Sequence, residues 1–255
     1  MINNLLSPII ETILRLLPFK EAVRISILCK DWKYHWTNVP KLEFVANVVK
    51  VSNNDNELHK ERLSQANRKV FHAINHVMSI HQGPIHEFSL STYAAQGPCV
   101  EIVHIIDNLS RNNAIKKLTL DMPRYWLPES LPSLHKLTDL YLNRCRLDNP
   151  NPGSLLDIDD HDSTVIIKLF ECLPVIKNLT IHLLTLKYFA QGRTPNKLPA
   201  ALVHLKYLCI TDTCIAYEHK IPCYALLIRS SPNLEKLKLV VNNINLSCVY
   251  LQINA

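Results

Sequence analysis

Six stretches of this chain set apolar side chains at one spacing: Ile85-x-x-Phe88-x-Leu90, Ile115-x-x-Leu118-x-Leu120, Leu137-x-x-Leu140-x-Leu142, Ile176-x-x-Leu179-x-Ile181, Leu205-x-x-Leu208-x-Ile210 and Leu234-x-x-Leu237-x-Leu239. One such unit cannot bury the apolar side of its single short strand. Successive units therefore stack, share a continuous core and leave an extended surface free for a partner. The intervals between the fourth positions, residues 88, 118, 140, 179, 208 and 237, are 30, 22, 39, 29 and 29 residues. Function is sought in binding before catalysis.

Leucine-rich repeats run at roughly 20 to 29 residues, so this series is long and irregular but of that kind. The expected fold is α/β, a curved parallel sheet with helices or irregular segments on its convex side. Alternation along each strand separates the two faces. With Leu118 and Leu120 inward, Lys117, Thr119 and Asp121 point out. The same step exposes Glu87, Ser89 and Ser91; Asp139, Tyr141 and Asn143; Asn178, Thr180 and His182; Tyr207, Cys209 and Thr211; and Lys236, Lys238 and Val240. This concave row starts acidic, carries two tyrosines near its middle and ends basic. Tyrosine brings apolar area with a hydrogen-bonding tip, which suits protein recognition. Tyr141, His182, Tyr207, Lys236 and Lys238 are the expected substrate-binding residues. Apolar patches at Val100–Leu109 and Val165–Leu173 are expected to pack behind the sheet. The proline-rich, acidic stretch 148–163 reads as a convex-side loop.

Composition narrows the function classes. Of 255 residues 47% are hydrophobic, enough for one repeat domain and a small accessory unit. No apolar run reaches the roughly 18 residues of a membrane span, and no secretory leader is apparent. The net charge is +6, but the 28 basic residues form no run of five, which gives solubility and not a phosphate track. No nucleic-acid or membrane partner is expected. The eight cysteines mostly interrupt apolar runs and read as reduced core residues. Cys209, Cys214, His219 and Cys223 lie close together, yet Cys209 falls within a strand and the gaps are loose for zinc, so no metal or cofactor is expected. With four glycines there is no phosphate loop, and neither Gly-x-Ser-x-Gly nor His-Glu-x-x-His occurs. His72 and His76 share a helix face without a carboxylate beside them.

Before residue 85 the period changes. Ser7 and Pro8 suit a helix start, followed by Ile9, Ile10, Ile13, Leu14 and Leu17 at helical spacing. Pro18 ends that helix. A second carries Ala22, Val23, Ile25, Ile27 and Leu28, and a third short segment sets Trp32 and Trp36 four residues apart. Three helices in about 40 residues make too small a core to stand alone, so the unit is expected to lean on the repeats or on a partner.

The series Leu5, Ile9-Ile10-Glu11, Ile13-Leu14, Leu17-Pro18, Ala22-Val23-Arg24, Ser26 to Lys30, Trp32-Lys33-Tyr34 and Trp36 resembles an F-box, in the variant of the plant F-box/FBD/LRR-repeat proteins. Val70-Phe71-His72, Val77 to His81 and Gly83-Pro84-Ile85 through Ser91 resemble that family's junction into its repeats. The resemblance implies three spans: an F-box over 1–45, a helical junction over 46–84 and leucine-rich repeats over 85–255. It further implies a non-catalytic adaptor, the substrate-recognition subunit of a ubiquitin ligase. The F-box of such a subunit docks on Skp, and through it on cullin, while the repeats hold a protein substrate. On this resemblance Leu5, Ile9, Ile13, Leu14, Leu17, Pro18, Val23, Leu28 and Trp32 match positions that build the helical core or face Skp. Core and contact remain equally open for each.

Three departures accompany the match. The family opens on Leu-Pro, whereas this chain has Leu5-Leu6 with its proline at Pro8. Val45 stands where an acidic residue is common. A carboxy-terminal FBD segment is not apparent, as expected either of a truncated member or of a fragment from an incomplete gene model. The alternative reading is a repeat-based interaction module whose altered F-box no longer couples to a ligase. Either way the expected location is cytoplasm, nucleus or both.

Overall fold

A computed structural model describes residues 7–26, 32, 34–47, 56–93, 100–128, 130–145, 170, 173, 175–183, 185–186, 198, 201–211, 221–243 and 246–254. Two helices open the chain, α1 (Ser7–Leu16) and α2 (Phe19–Ser26), followed by a 3₁₀ turn at His35–Asn38. Pro18 separates them as expected, and its carbonyl accepts the N–H groups of Glu21 and Ala22 at 2.9 and 3.0 Å, starting α2. The third segment is 3₁₀ where it is described, at Trp32 and over the His35–Asn38 turn that bears Trp36.

The remaining elements alternate strand with connection: β1 (Lys41–Val45), α3 (Asn56–Ile80), β2 (Glu87–Ser91), α4 (Val100–Asn112), β3 (Lys117–Asp121), β4 (Asp139–Asn143), β5 (Asn178–His182), β6 (Tyr207–Thr211), α5 (Ile221–Arg229), β7 (Lys236–Asn243) and β8 (Leu246–Asn254). They form one sheet in chain order. β1 to β7 run parallel in strict register, so that Leu42, Phe88, Leu118, Leu140, Leu179, Leu208 and Leu237 form one row. All six sequence repeats are strands of this sheet. β1 is a seventh: Val39-x-x-Leu42-x-Phe44 has the same spacing, within the span expected to close the F-box. β8 turns back antiparallel on β7.

A backbone device holds the step constant while the connections vary in length. The residue just before each strand offers its carbonyl to two N–H groups of the next repeat: Pro40 to His86 and Glu87, His86 to Lys116 and Lys117, Lys116 to Thr138 and Asp139, Thr138 to Lys177 and Asn178, Lys177 to Lys206 and Tyr207, and Lys206 to Glu235 and Lys236, all at 2.8–3.0 Å. Inward side chains fill the interior behind the sheet, where Leu42, Leu90, Leu118, Leu120, Leu179 and Leu208 are fully enclosed. α4 closes part of the convex side with Ile102, Ile105, Ile106 and Leu109, and ends where Asn113 adopts φ 48°, a left-handed stop that asparagine tolerates. Phe170 and Leu173 are buried behind the sheet; the rest of 165–173, and the acidic stretch 148–163, lie outside the described residues.

Cys145 and Cys209, the cysteines described as free, are both buried. Burial pushes the Cys145 thiol from 9.0 up to about 12, because an enclosed site disfavours the thiolate. An unfolded thiol ionises lower. This contribution to stability is therefore whole below pH 9 and is lost as pH rises toward 12. Alkylation at pH 8, mapped by mass spectrometry, is expected to label Cys145 only after denaturation; labelling at the rate of an open thiol would show that the third repeat does not enclose it.

Candidate functional site: two binding surfaces joined by an aromatic path

The helical front end has its own small core of Ile10, Leu14, Ala22, Trp32 and Val39. This separates several residues that sequence left unapportioned. Leu14 is fully enclosed and Trp32 nearly so, which makes them supports of the unit. Ile13 and Leu17 pack against the same core from its rim. Ile9 is 45% exposed, Pro18 is also exposed, and Val23 is half-buried against the repeat core. Leu5 and Leu28 lie outside the described residues. The structure adds Leu16, which periodicity did not single out: it is 81% exposed, two helical turns from Ile9. Residues seven apart share one face of a helix, so α1 presents an apolar strip to solvent.

Phe19 lies between the two parts of the chain. Its ring is 6.1 Å from Trp36 and 5.4 Å from Phe44, and Phe44 is 5.8 Å from Phe88. Offset and edge contacts at these distances are the favourable arrangements for rings. One aromatic path thus runs from the front helices into the first two strands. Gly83 locks the same junction from the other side. A side-chain carbon there would stand 2.9 Å from Asn38 Cα, and Gln82 and Gly83 both donate to the Thr37 carbonyl at 3.0 and 3.3 Å. The helical unit leans on the repeats, as its size requires.

The concave sheet face carries three outward rows fixed by the register. In the first, Glu87 and Lys117 pair at 3.9 Å and Asn178 donates to Asp139 at 2.6 Å. In the third, Arg144 pairs with Asp121 at 2.9 Å. These exposed contacts contribute little to stability, but they neutralise the β2–β5 part of the face internally. Toward its other end, the outward positions of β6 and β7 are Tyr207, Cys209, Thr211, Lys236, Lys238 and Val240, without a carboxylate. Lys236 Nζ stands 5.8 Å from the centre of the Tyr207 ring, close enough for a cation over an aromatic face.

Of the five expected substrate contacts, Tyr141, Tyr207, Lys236 and Lys238 line this half-buried surface around Cys209. Cys209 itself is 5% exposed although its position faces outward, because the larger neighbours cover it. His182 is the correction. At 8% exposure it is enclosed, at the end of β5 where the chain runs on into buried Leu183, Thr185 and Leu186, and it is not an open contact. Burial pushes both tyrosine hydroxyls upward, Tyr207 to about 12 with Cys209 adding to the effect, and Tyr141 less far with Asp121 adding. Both remain protonated donors at neutral pH. Among the described residues no group of His, Cys, Asp and Glu could hold a metal ion, and no helix is long and apolar enough to cross a membrane.

The F-box domain family matches residues 2–44, ending inside β1. Over 93% of the chain and 75% of the relative, it is 24% identical to an F-box/FBD/LRR-repeat protein of Arabidopsis thaliana. The chain carries an F-box domain at its amino-terminal end and is similar over most of its length to plant F-box/LRR-repeat proteins. An F-box protein of the same plant is 30% identical over 77% of the chain, and another F-box/FBD/LRR-repeat protein is 29% identical over 71%. The chain spans 38% and 41% of those two relatives. With its F-box domain the chain is an F-box protein, a class generally found in Skp–cullin–F-box complexes.

Proposed function

We propose that this F-box/LRR protein is the substrate-recognition subunit of a Skp–cullin–F-box ubiquitin ligase and carries no catalytic chemistry of its own. The observation that carries the reading is the aromatic path Trp36–Phe19–Phe44–Phe88, which couples an exposed apolar helix face to an open sheet face. Such coupling is of use to an adaptor, whose task is to hold one partner at a fixed place relative to another. Skp takes the α1 strip of Ile9 and Leu16 with the rim residues Ile13, Leu17 and Pro18, and cullin is reached through Skp. A protein substrate takes Tyr141, Tyr207, Lys236 and Lys238. The complex works in the cytoplasm, the nucleus or both.

Exposed side chains allow a test that spares the core. Ile9→Asp combined with Leu16→Asp is expected to weaken capture of Skp at least about tenfold, equivalent to about 1.4 kcal/mol, with an unchanged melting curve. Tyr141→Ala with Tyr207→Ala is expected to keep Skp and to lose the ubiquitylated neighbours found by proximity labelling under proteasome inhibition. Failure of the parent chain to hold Skp at micromolar concentration would leave an interaction module uncoupled from any ligase.

A further inference from the structure

Among the described residues β1 is the first strand of the sheet and pairs only with β2. In a strand the N–H and C=O of one residue point to the same edge, and successive residues alternate edges. Pro40 O accepts from His86 and Glu87, and Ala46 N donates to Ser91 O at 2.9 Å, so the even-numbered residues of this stretch serve the β2 side. Lys41, Glu43 and Val45 therefore turn their backbone N–H and C=O groups to the free edge. Beside that edge lies a groove of about 790 Å³ between α2 and α3. Its apolar lining includes Phe19, Val23, Val70 and Val77, and Glu43, Phe44 and Val45 bring the strand itself to its wall. Lys20 and Lys69 stand on its two helical sides. Arg24, also there, already pairs with Glu21 at 3.0 Å.

We propose that this edge accepts an extended segment of a partner protein by strand addition, and that the segment alternates apolar with acidic residues. Backbone pairing supplies affinity in this mode, and pockets for alternate side chains supply specificity. Apolar side chains of the added strand would enter the groove, with its carboxylates near Lys20 and Lys69. A second copy of the chain suits the edge poorly. Two β1 strands paired antiparallel over their full length would set Glu43 against Glu43, and like charges directly opposite are destabilising. The groove shares Pro18 with the surface assigned to Skp, lies apart from Ile9 and Leu16 of the α1 strip, and is distinct from the concave face assigned to substrate.

An acetylated, amidated octapeptide of alternating Val and Glu is the probe, used with the full chain. At saturation it is expected to slow hydrogen exchange of the Lys41, Glu43 and Val45 amides at least about tenfold, leaving Leu42 and Phe44 as they were. Glu43→Pro removes an edge donor without touching the β1–β2 ladder, a position where proline is tolerated. It is expected to weaken the peptide at least about tenfold and to leave Skp capture unchanged. A Val–Lys counterpart, and a Val–Glu peptide methylated on alternate backbone nitrogens, are expected not to bind; the methylated peptide keeps the test valid if the proline variant does not fold. The proposal is overturned by edge amides that stay unprotected, by equal binding of the methylated peptide, by loss of Skp capture in folded Glu43→Pro, or by a dimer in sedimentation that Glu43→Pro dissolves.

Discussion

Truncation of Phe19 to alanine is expected to cost about 3–5 kcal/mol, the range for removing a buried aromatic ring from a core, and to uncouple the front helices from the sheet. Phe19 is 5% exposed and contacts both Trp36 and Phe44. Its loss opens a cavity where the front helices meet β1. Global melting is expected to fall, and hydrogen exchange is expected to rise in α1 and α2 more than in β3 to β6. Phe19→Leu, which refills much of the volume, is expected to recover most of the loss. A melting temperature within a degree of the parent for Phe19→Ala would show that the ring is not a joint, and the reading of the chain as one rigid adaptor would lose its main support.

Asn67→Leu is the second large effect, expected to destabilise the chain by about 2–4 kcal/mol. Asn67 is buried on α3, where its side-chain amide donates to the Tyr93 carbonyl and to the Tyr125 hydroxyl, both at 3.1 Å, and its oxygen accepts from Tyr93 N at 3.0 Å. Removing the amide breaks three bonds at a site that water does not readily reach, and each buried group left without its partner costs about 1–3 kcal/mol. Phe71, one turn along, packs edge-on against the same Tyr125 ring at 6.2 Å. α3 thereby braces the exits of β2 and β3. Denaturant unfolding of the variant gives the number directly; a midpoint equal to the parent's would mean that the amide is dispensable.

Most of the stack was legible because its pattern has period two over a strand and recurs with an apolar residue three places ahead. The six expected units are β2 to β7, facing as alternation requires. β1 escaped because Val39-x-x-Leu42-x-Phe44 adjoins the F-box-like block and stands 46 residues before Phe88, farther than any other interval. β8 has the same spacing in Leu246-x-x-Val249-x-Leu251, but Val249 stands only 12 residues after Leu237, too close for a further repeat, and the strand returns antiparallel on β7. For the candidate surfaces the limit was burial. Alternation gives the side of the sheet, and it put Tyr141, Tyr207, Lys236 and Lys238 on the open side, but it could not show that His182, on the same side, is enclosed. Helical spacing likewise could not divide Leu14 from Ile9, because an inward stripe and an exposed stripe read alike until the packing partner is known. Leu16 fell outside the stripe for the same reason.

The carbonyl that repeats before each of β1 to β6 also turns the sheet into a ruler. Neighbouring strands are spaced by about 4.8 Å, so six steps from β1 to β7 amount to roughly 29 Å measured along the curve. Under the proposed function the front helices that take Skp are anchored at the zero mark, the reach to a substrate's lysines is counted in whole strands, and one repeat gained or lost would shift that reach by a single graduation without changing either end.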